Sequence, residues 1–160
     1  MSRFGDDEDW SEYANLNYGR FEHNARQVLK SKRGQRALRE LKEALLAMPF
    51  KALIDDRLID RPLVYDEALG EVVLAPYFEV CAIGQLAIHK GREPERLWEQ
   101  FSWDGEYDAM SMDTLDLGES LGLRRTLAYV IADENDMRGL TPVERWKSVM
   151  HFIDYHLVPA

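Results

Sequence analysis

Apolar residues recur at helical spacing over most of this chain, and the run from Glu79 to Gly91 is the one the others are organised around. Val80, Ile83, Leu86, Ala87 and Ile88 cover most of a helix circumference, with small Ala82 and Gly84 between them. A helix apolar nearly all round is buried, so other helices must pack on it. Gly91 stands where such a helix takes a left-handed cap.

The coat of that helix is legible as amphipathic stripes. Residues 20–29 put Phe21, Ala25, Val28 and Leu29 on one face, and a break is expected at Gly34. Residues 35–48 carry Leu38, Leu41, Leu45 and Met48, with Pro49 just past the end. Residues 94–101 turn Leu97, Trp98 and Phe101 inward; residues 115–121 form a short helix ending at Gly122. Residues 123–134 form a longer one on Leu123, Leu127, Val130 and Ile131. Thr141-Pro142-Val143-Glu144 is a capping box with proline in the first turn, and it opens a last helix on Trp146, Val149, Met150, Ile153 and Leu157.

Two stretches depart from that period. Pro62–Tyr65 and Glu71–Leu74 are β-like and joined by residues 66–70, which predicts a hairpin. A two-stranded hairpin is marginal alone, so it is expected to lean on the helices. Residues 102–114 and 133–140 read as loops. The fold class is therefore mainly α: a single compact helical domain, residues 17–160, with a minor β-hairpin. It follows an acidic N-terminal arm, residues 1–16.

Charge changes the functional picture more than the fold. The net charge is -9 over 160 residues. That opposes broad electrostatic binding to nucleic acid. Yet the segment 20–42 carries eight Lys/Arg and two Glu, a net of +6, which leaves −15 on the rest. Such asymmetry concerns partners and steering rather than fold. No apolar run reaches membrane-span length and no secretory leader opens the chain, so a cytoplasmic protein is expected. The single Cys81 rules out an internal disulfide and a Cys-rich zinc site.

Each chemical motif meets a simpler structural reading. Gly118-Glu119-Ser120-Leu121-Gly122 has the spacing of a nucleophile elbow, with Asp133 or Asp136 and then His151 in hydrolase order. The elbow needs a buried strand before it, and residues 111–116 do not form one. Residues 117–134 resemble a helix-turn-helix, with Gly122 at the turn and Arg124, Arg125, Thr126 and Tyr129 leading the second helix. The flanking carboxylates would repel phosphates there. Asp133, Asn135 and Glu144 fit positions of a calcium loop, but Met137 occupies a ligand position and Glu144 belongs to the capping box. Cys81 and His89 lie two helical turns apart, too far for a thiolate–imidazole pair, and the surroundings of Cys81 are apolar. His151 and His156 point to different helix faces. No metal site and no cofactor are expected.

Three pieces taken together do carry a likeness. Cys81-Ala82-Ile83-Gly84-Gln85-Leu86 is followed by Ala132-Asp133-Glu134-Asn135-Asp136 and then Thr141-Pro142-Val143-Glu144-Arg145-Trp146. The pattern resembles a loose family of small helical bacteriophage and prophage proteins without assigned activity. Gln85 stands where alanine is usual, and the hairpin region is extended. The resemblance covers residues 20–54, 81–91 and 117–157. It implies a helical fold and a phage-type origin in a bacterial host cytoplasm, and it transfers no catalytic residue.

The functional expectation is a non-enzymatic, acidic accessory protein that binds a host protein. The form the resemblance suggests is an anti-CRISPR-like inhibitor of a host defence or nucleic-acid enzyme, acting on the enzyme's basic surface. The candidate carboxylates are Asp6, Asp7, Glu8, Asp9, Asp104, Glu106, Asp108, Asp113, Asp116 and Glu119; the candidate aromatic anchors are Trp10, Trp98 and Trp103. No membrane and no direct nucleic-acid contact is expected. The alternatives are a small DNA-binding regulator using residues 117–134, and a Ser/Cys hydrolase.

Overall fold

The computed structural model describes residues 23–101 and 112–159. The order is α1 (residues 23–30), α2 (Lys32–Leu46), β1 (Ile59–Asp60), β2 (Leu63–Asp66), β3 (Glu71–Leu74), β4 (Glu79–Val80), α3 (Ala82–His89), α4 (Pro94–Phe101), α5 (Met112–Ser120), α6 (Arg125–Asn135) and α7 (Pro142–His156). The fold is mainly α with a small antiparallel β component.

α3 lies at the centre, packed by α2, α5 and α6, with α7 closing against α2 and α6. Every residue from Ala82 to Ala87 is buried, and the one polar side chain among them, Gln85, donates to Ala44 O at 2.9 Å. One core runs from Leu29 through Leu38, Leu41, Leu45, Ile83, Leu86, Leu127 and Ile131 to Ile153. Its central helix is shorter than the apolar run. Glu79 and Val80 pair as strand with Asp60 and Ile59, and Cys81 becomes the N-cap of α3. The tertiary reason is backbone demand from the preceding loop: Ile54 N–H donates to Val80 O (3.0 Å) and Cys81 N–H to Leu58 O (3.0 Å). A residue bonded that way holds extended torsions and stays outside the helix.

The break before α2 also moves. It falls at Ser31, not at Gly34, because the Ser31 hydroxyl accepts from Gly34 N–H (3.0 Å) and donates to Val28 O (2.7 Å). That one side chain ends α1 and caps α2. Gly91 and Gly122 close α3 and α5 in the same way. At φ of 98° and 95° they let the following residue's N–H reach back, from Arg92 to Ala87 O and from Leu123 to Gly118 O, both 3.0 Å. α6 starts at Arg125, two residues later than its stripe suggests, and the capping box of α7 forms as expected, with Glu144 N–H on Thr141 Oγ1 at 3.2 Å.

The hairpin forms at its predicted place, in the register Leu63–Leu74 to Asp66–Glu71. It is the outer part of a longer ribbon whose base is β1–β4. Between the two ladders, residues 61–62 face residues 75–78, so the return strand carries two extra residues and the ribbon bends. The base is buried at Ile59 and Val80. Among the described residues the outer half packs chiefly on itself, and the ribbon leans on the helices through its root, where Arg61 and Phe78 meet Trp98 of α4.

Candidate interaction surfaces

In an antiparallel pair, directly opposed residues share a face. Leu63, Tyr65, Val72 and Leu74 therefore form one wholly apolar face of the outer ribbon. Their exposures are 69%, 64%, 61% and 41%. Val64 and Val73 on the other face are half-buried. The Asp66 carboxylate accepts from Ala68 N–H (2.9 Å) and Leu69 N–H (3.1 Å) and fixes the tip. Single exposed apolar residues are ordinary, whereas four of them in one cross-strand block are not.

Arg61 and Trp98 root this ribbon. The Arg61 guanidinium lies 5.4 Å from the Phe78 ring centre and 5.9 Å from that of Trp98, and its Nε donates to Ala75 O at 2.6 Å. Phe78 and Trp98 meet at 6.5 Å. Trp98 is thus half-buried and engaged by its own domain, which leaves little of it for a partner. Beside the root lies an apolar groove of about 540 Å³ lined by Met48, Phe50, Leu53, Tyr77, Phe78 and Ile88. Phe50 is 82% exposed on its rim.

The acidic candidates divide. Asp6, Asp7, Glu8, Asp9, Trp10, Trp103, Asp104, Glu106 and Asp108 lie outside the described residues. Asp113, Asp116 and Glu119 lie on α5 at three-residue spacing, which places them on one side of the helix. Arg125 Nη1 donates to both Asp116 Oδ1 and Glu119 Oε1 at 2.7 Å, and these two carboxylates push the guanidinium pKa up. Arg125 would lead the second helix of a helix-turn-helix, but here it is turned to α5. Asp113 is exposed.

Compared with known protein families, curated proteins and solved structures, the chain matches none.

The chemical candidates sit in structural roles. Burial pushes the Cys81 thiol up to about 12, and its sulfur accepts from Gly84 N–H at 3.4 Å. Ser120 Oγ donates to Leu117 O one turn back (2.6 Å), and the segment before it is helix α5. Asn135 does not face a calcium ligand set. Its Oδ1 accepts from Ala82 N–H and its Nδ2 donates to Ile54 O, both at 2.9 Å. The Asn-Asp helix end and the Cys-Ala helix start, distant in sequence, thus meet in one buried contact. Among the described residues no cluster of three or more His, Cys, Asp or Glu could hold a metal ion, and no helix is long and apolar enough to cross a membrane.

Arg145 escaped the sequence reading. It is 3% exposed and donates to the carbonyls of Asn135 (2.5 Å), Met137 (2.7 Å) and Leu140 (3.1 Å), with Asp55 at 3.3 Å. The available signal was the loop it holds: a turn between two packed helices carries carbonyls that need donors.

Proposed function

We propose that this chain is a non-enzymatic accessory protein that binds another protein through its bent ribbon. The observation that carries the reading is the exposed face of Leu63, Tyr65, Val72 and Leu74, presented on an arm whose main helix contacts, among the described residues, lie at its base. Tyr65 at its centre is the residue type that anchors interfaces. The nearby groove with Phe50 on its rim extends the apolar surface.

A role without catalysis is supported by the engagement of the two candidate nucleophiles, Cys81 and Ser120. The Cys81 thiol is buried and held protonated, and the Ser120 hydroxyl serves its own helix. The likeness to phage proteins supports a host protein as the partner. Inhibition of a host defence or nucleic-acid enzyme by carboxylates remains the finer form of this proposal. Of its described carboxylates, only Asp113 is without a cationic neighbour among the described residues, since Arg125 holds Asp116 and Glu119. The weight therefore shifts from acidic mimicry to apolar contact.

The test is affinity purification from a bacterial host lysate with three forms: wild type, the ribbon variant Tyr65→Ser/Val72→Ser, and Asp113→Asn. Circular dichroism first checks that all three fold. A stoichiometric protein partner lost at least tenfold with the ribbon variant, and retained with Asp113→Asn, is the expected result. Retention by the ribbon variant ends the ribbon reading. A loss confined to Asp113→Asn would favour mimicry.

A further inference from the structure

The positive segment of the chain does not spread over the surface. Lys32, Arg33 and Arg36 from α2 and Lys90 from the end of α3 line one groove of about 450 Å³, with Ala37, Glu40 and Gly122 completing it. Three separate segments, α2, the close of α3 and the α5–α6 turn, bring these groups together. Its single carboxylate, Glu40, is 2.8 Å from Lys90 Nζ. Lys90 also donates to Leu121 O at 2.7 Å, and Arg33 Nε to Gly122 O at 3.3 Å, so both cations are fixed to the groove floor. Lys32 and Arg36 are exposed and have no ion-pair partner among the described residues. Lys32 and Arg33 also stand in the first turn of α2, where the backbone dipole disfavours cations and no acidic residue offsets them.

Like charges gathered in a concave site raise the local potential, and an anion relieves it. The folded chain places four cations against one carboxylate, on a protein of net charge -9. We infer that this groove is a binding site for a small ligand carrying two or more phosphate groups. Arg33 and Arg36 supply planar forks suited to phosphate oxygens, and Lys32 and Lys90 supply point charges. The volume falls within the range of small-molecule sites. Its lining has no aromatic ring on which a base could stack, so recognition rests on the phosphates. This site is separate from the ribbon, and the inference stands without the proposed function.

The probe is inorganic tripolyphosphate, titrated calorimetrically into the full chain at low and at moderate salt. Binding at one site per chain, weakening as salt rises, is expected. Arg36→Gln should weaken it about tenfold or more, the loss of one charge-assisted contact. Arg39→Gln is the matched control, because Arg39 is exposed on the same helix but does not line the groove. It should change affinity less than threefold. Thermal melts check that both variants fold. No binding at millimolar probe, or equal losses in the two variants, would overturn the inference. Tighter binding of a single-stranded oligonucleotide, with the same dependence on Arg36, would also overturn it in favour of a nucleic-acid backbone.

Discussion

Replacing Asn135 by alanine is the sharpest probe of how the buried polar positions of this chain serve the fold. The side chain is 1% exposed and bridges the start of α3 and the loop at Ile54. Without it, Ala82 N–H at the start of α3 and Ile54 O lose partners at 2.9 Å each. A buried group left unpaired costs about 1–3 kcal/mol. Ala82 is fully enclosed and Ile54 is half-buried, so the first loss lies near the top of that range and the second near the bottom. The sum is about 3–4 kcal/mol, which for a chain of this size lowers Tm by about 6–16 °C. The assay is thermal melting by circular dichroism, with urea titration to confirm an unchanged m-value. Asn135→Leu keeps the branched outline but not the hydrogen bonds, and it should be about as damaging as alanine. A drop under about 2 °C for Asn135→Ala, or recovery of stability in Asn135→Leu, would show that packing and not polar satisfaction holds this junction.

Gly84→Ala places a methyl 2.5 Å from Leu58 O and 3.2 Å from Val80 Cβ, so it should cost about 1–3 kcal/mol in a urea titration. Thr141→Ala removes the cap of α7 and should cost about 1 kcal/mol, read in the same way. Thr141 holds the Glu144 carboxyl below its ordinary value of 4.5 through backbone and side-chain hydrogen bonds. Its contribution is therefore complete above pH 4.5 and is lost as pH falls through the lowered value; Glu144→Gln should flatten that acid limb of the stability–pH curve. Cys81 should not react with a disulfide reagent at pH 8 in the native chain, and should give one thiol per chain in denaturant. Prompt reaction of the native chain would contradict its burial.

The helical class, the stripes of α2, α4 and α7, the capping box and the left-handed closure at Gly91 are local properties. Periodicity, a hydroxyl three residues before a glutamate, and a glycine after a helix are all settled by neighbours in sequence. Other features depend on partners remote in the chain. Val80 and Cys81 belong to an apolar run that suits a helix, yet Leu58 and Ile54 take their backbone groups and the helix begins later. Nothing in the stripe of α7 marks Arg145, and only in the fold do the carbonyls of the α6–α7 loop surround it. Asp116 and Glu119 look like available carboxylates until Arg125 turns onto them. The basic segment reads as a solvated helix face, and only the approach of Lys90 and the Gly122 turn makes it a groove. Likewise, alternation predicts the hairpin but cannot say which face a helix will cover. Sequence pattern reports what a residue prefers; which backbone group or charge meets it is decided when distant segments pack, because burial and pairing are properties of the assembled neighbours.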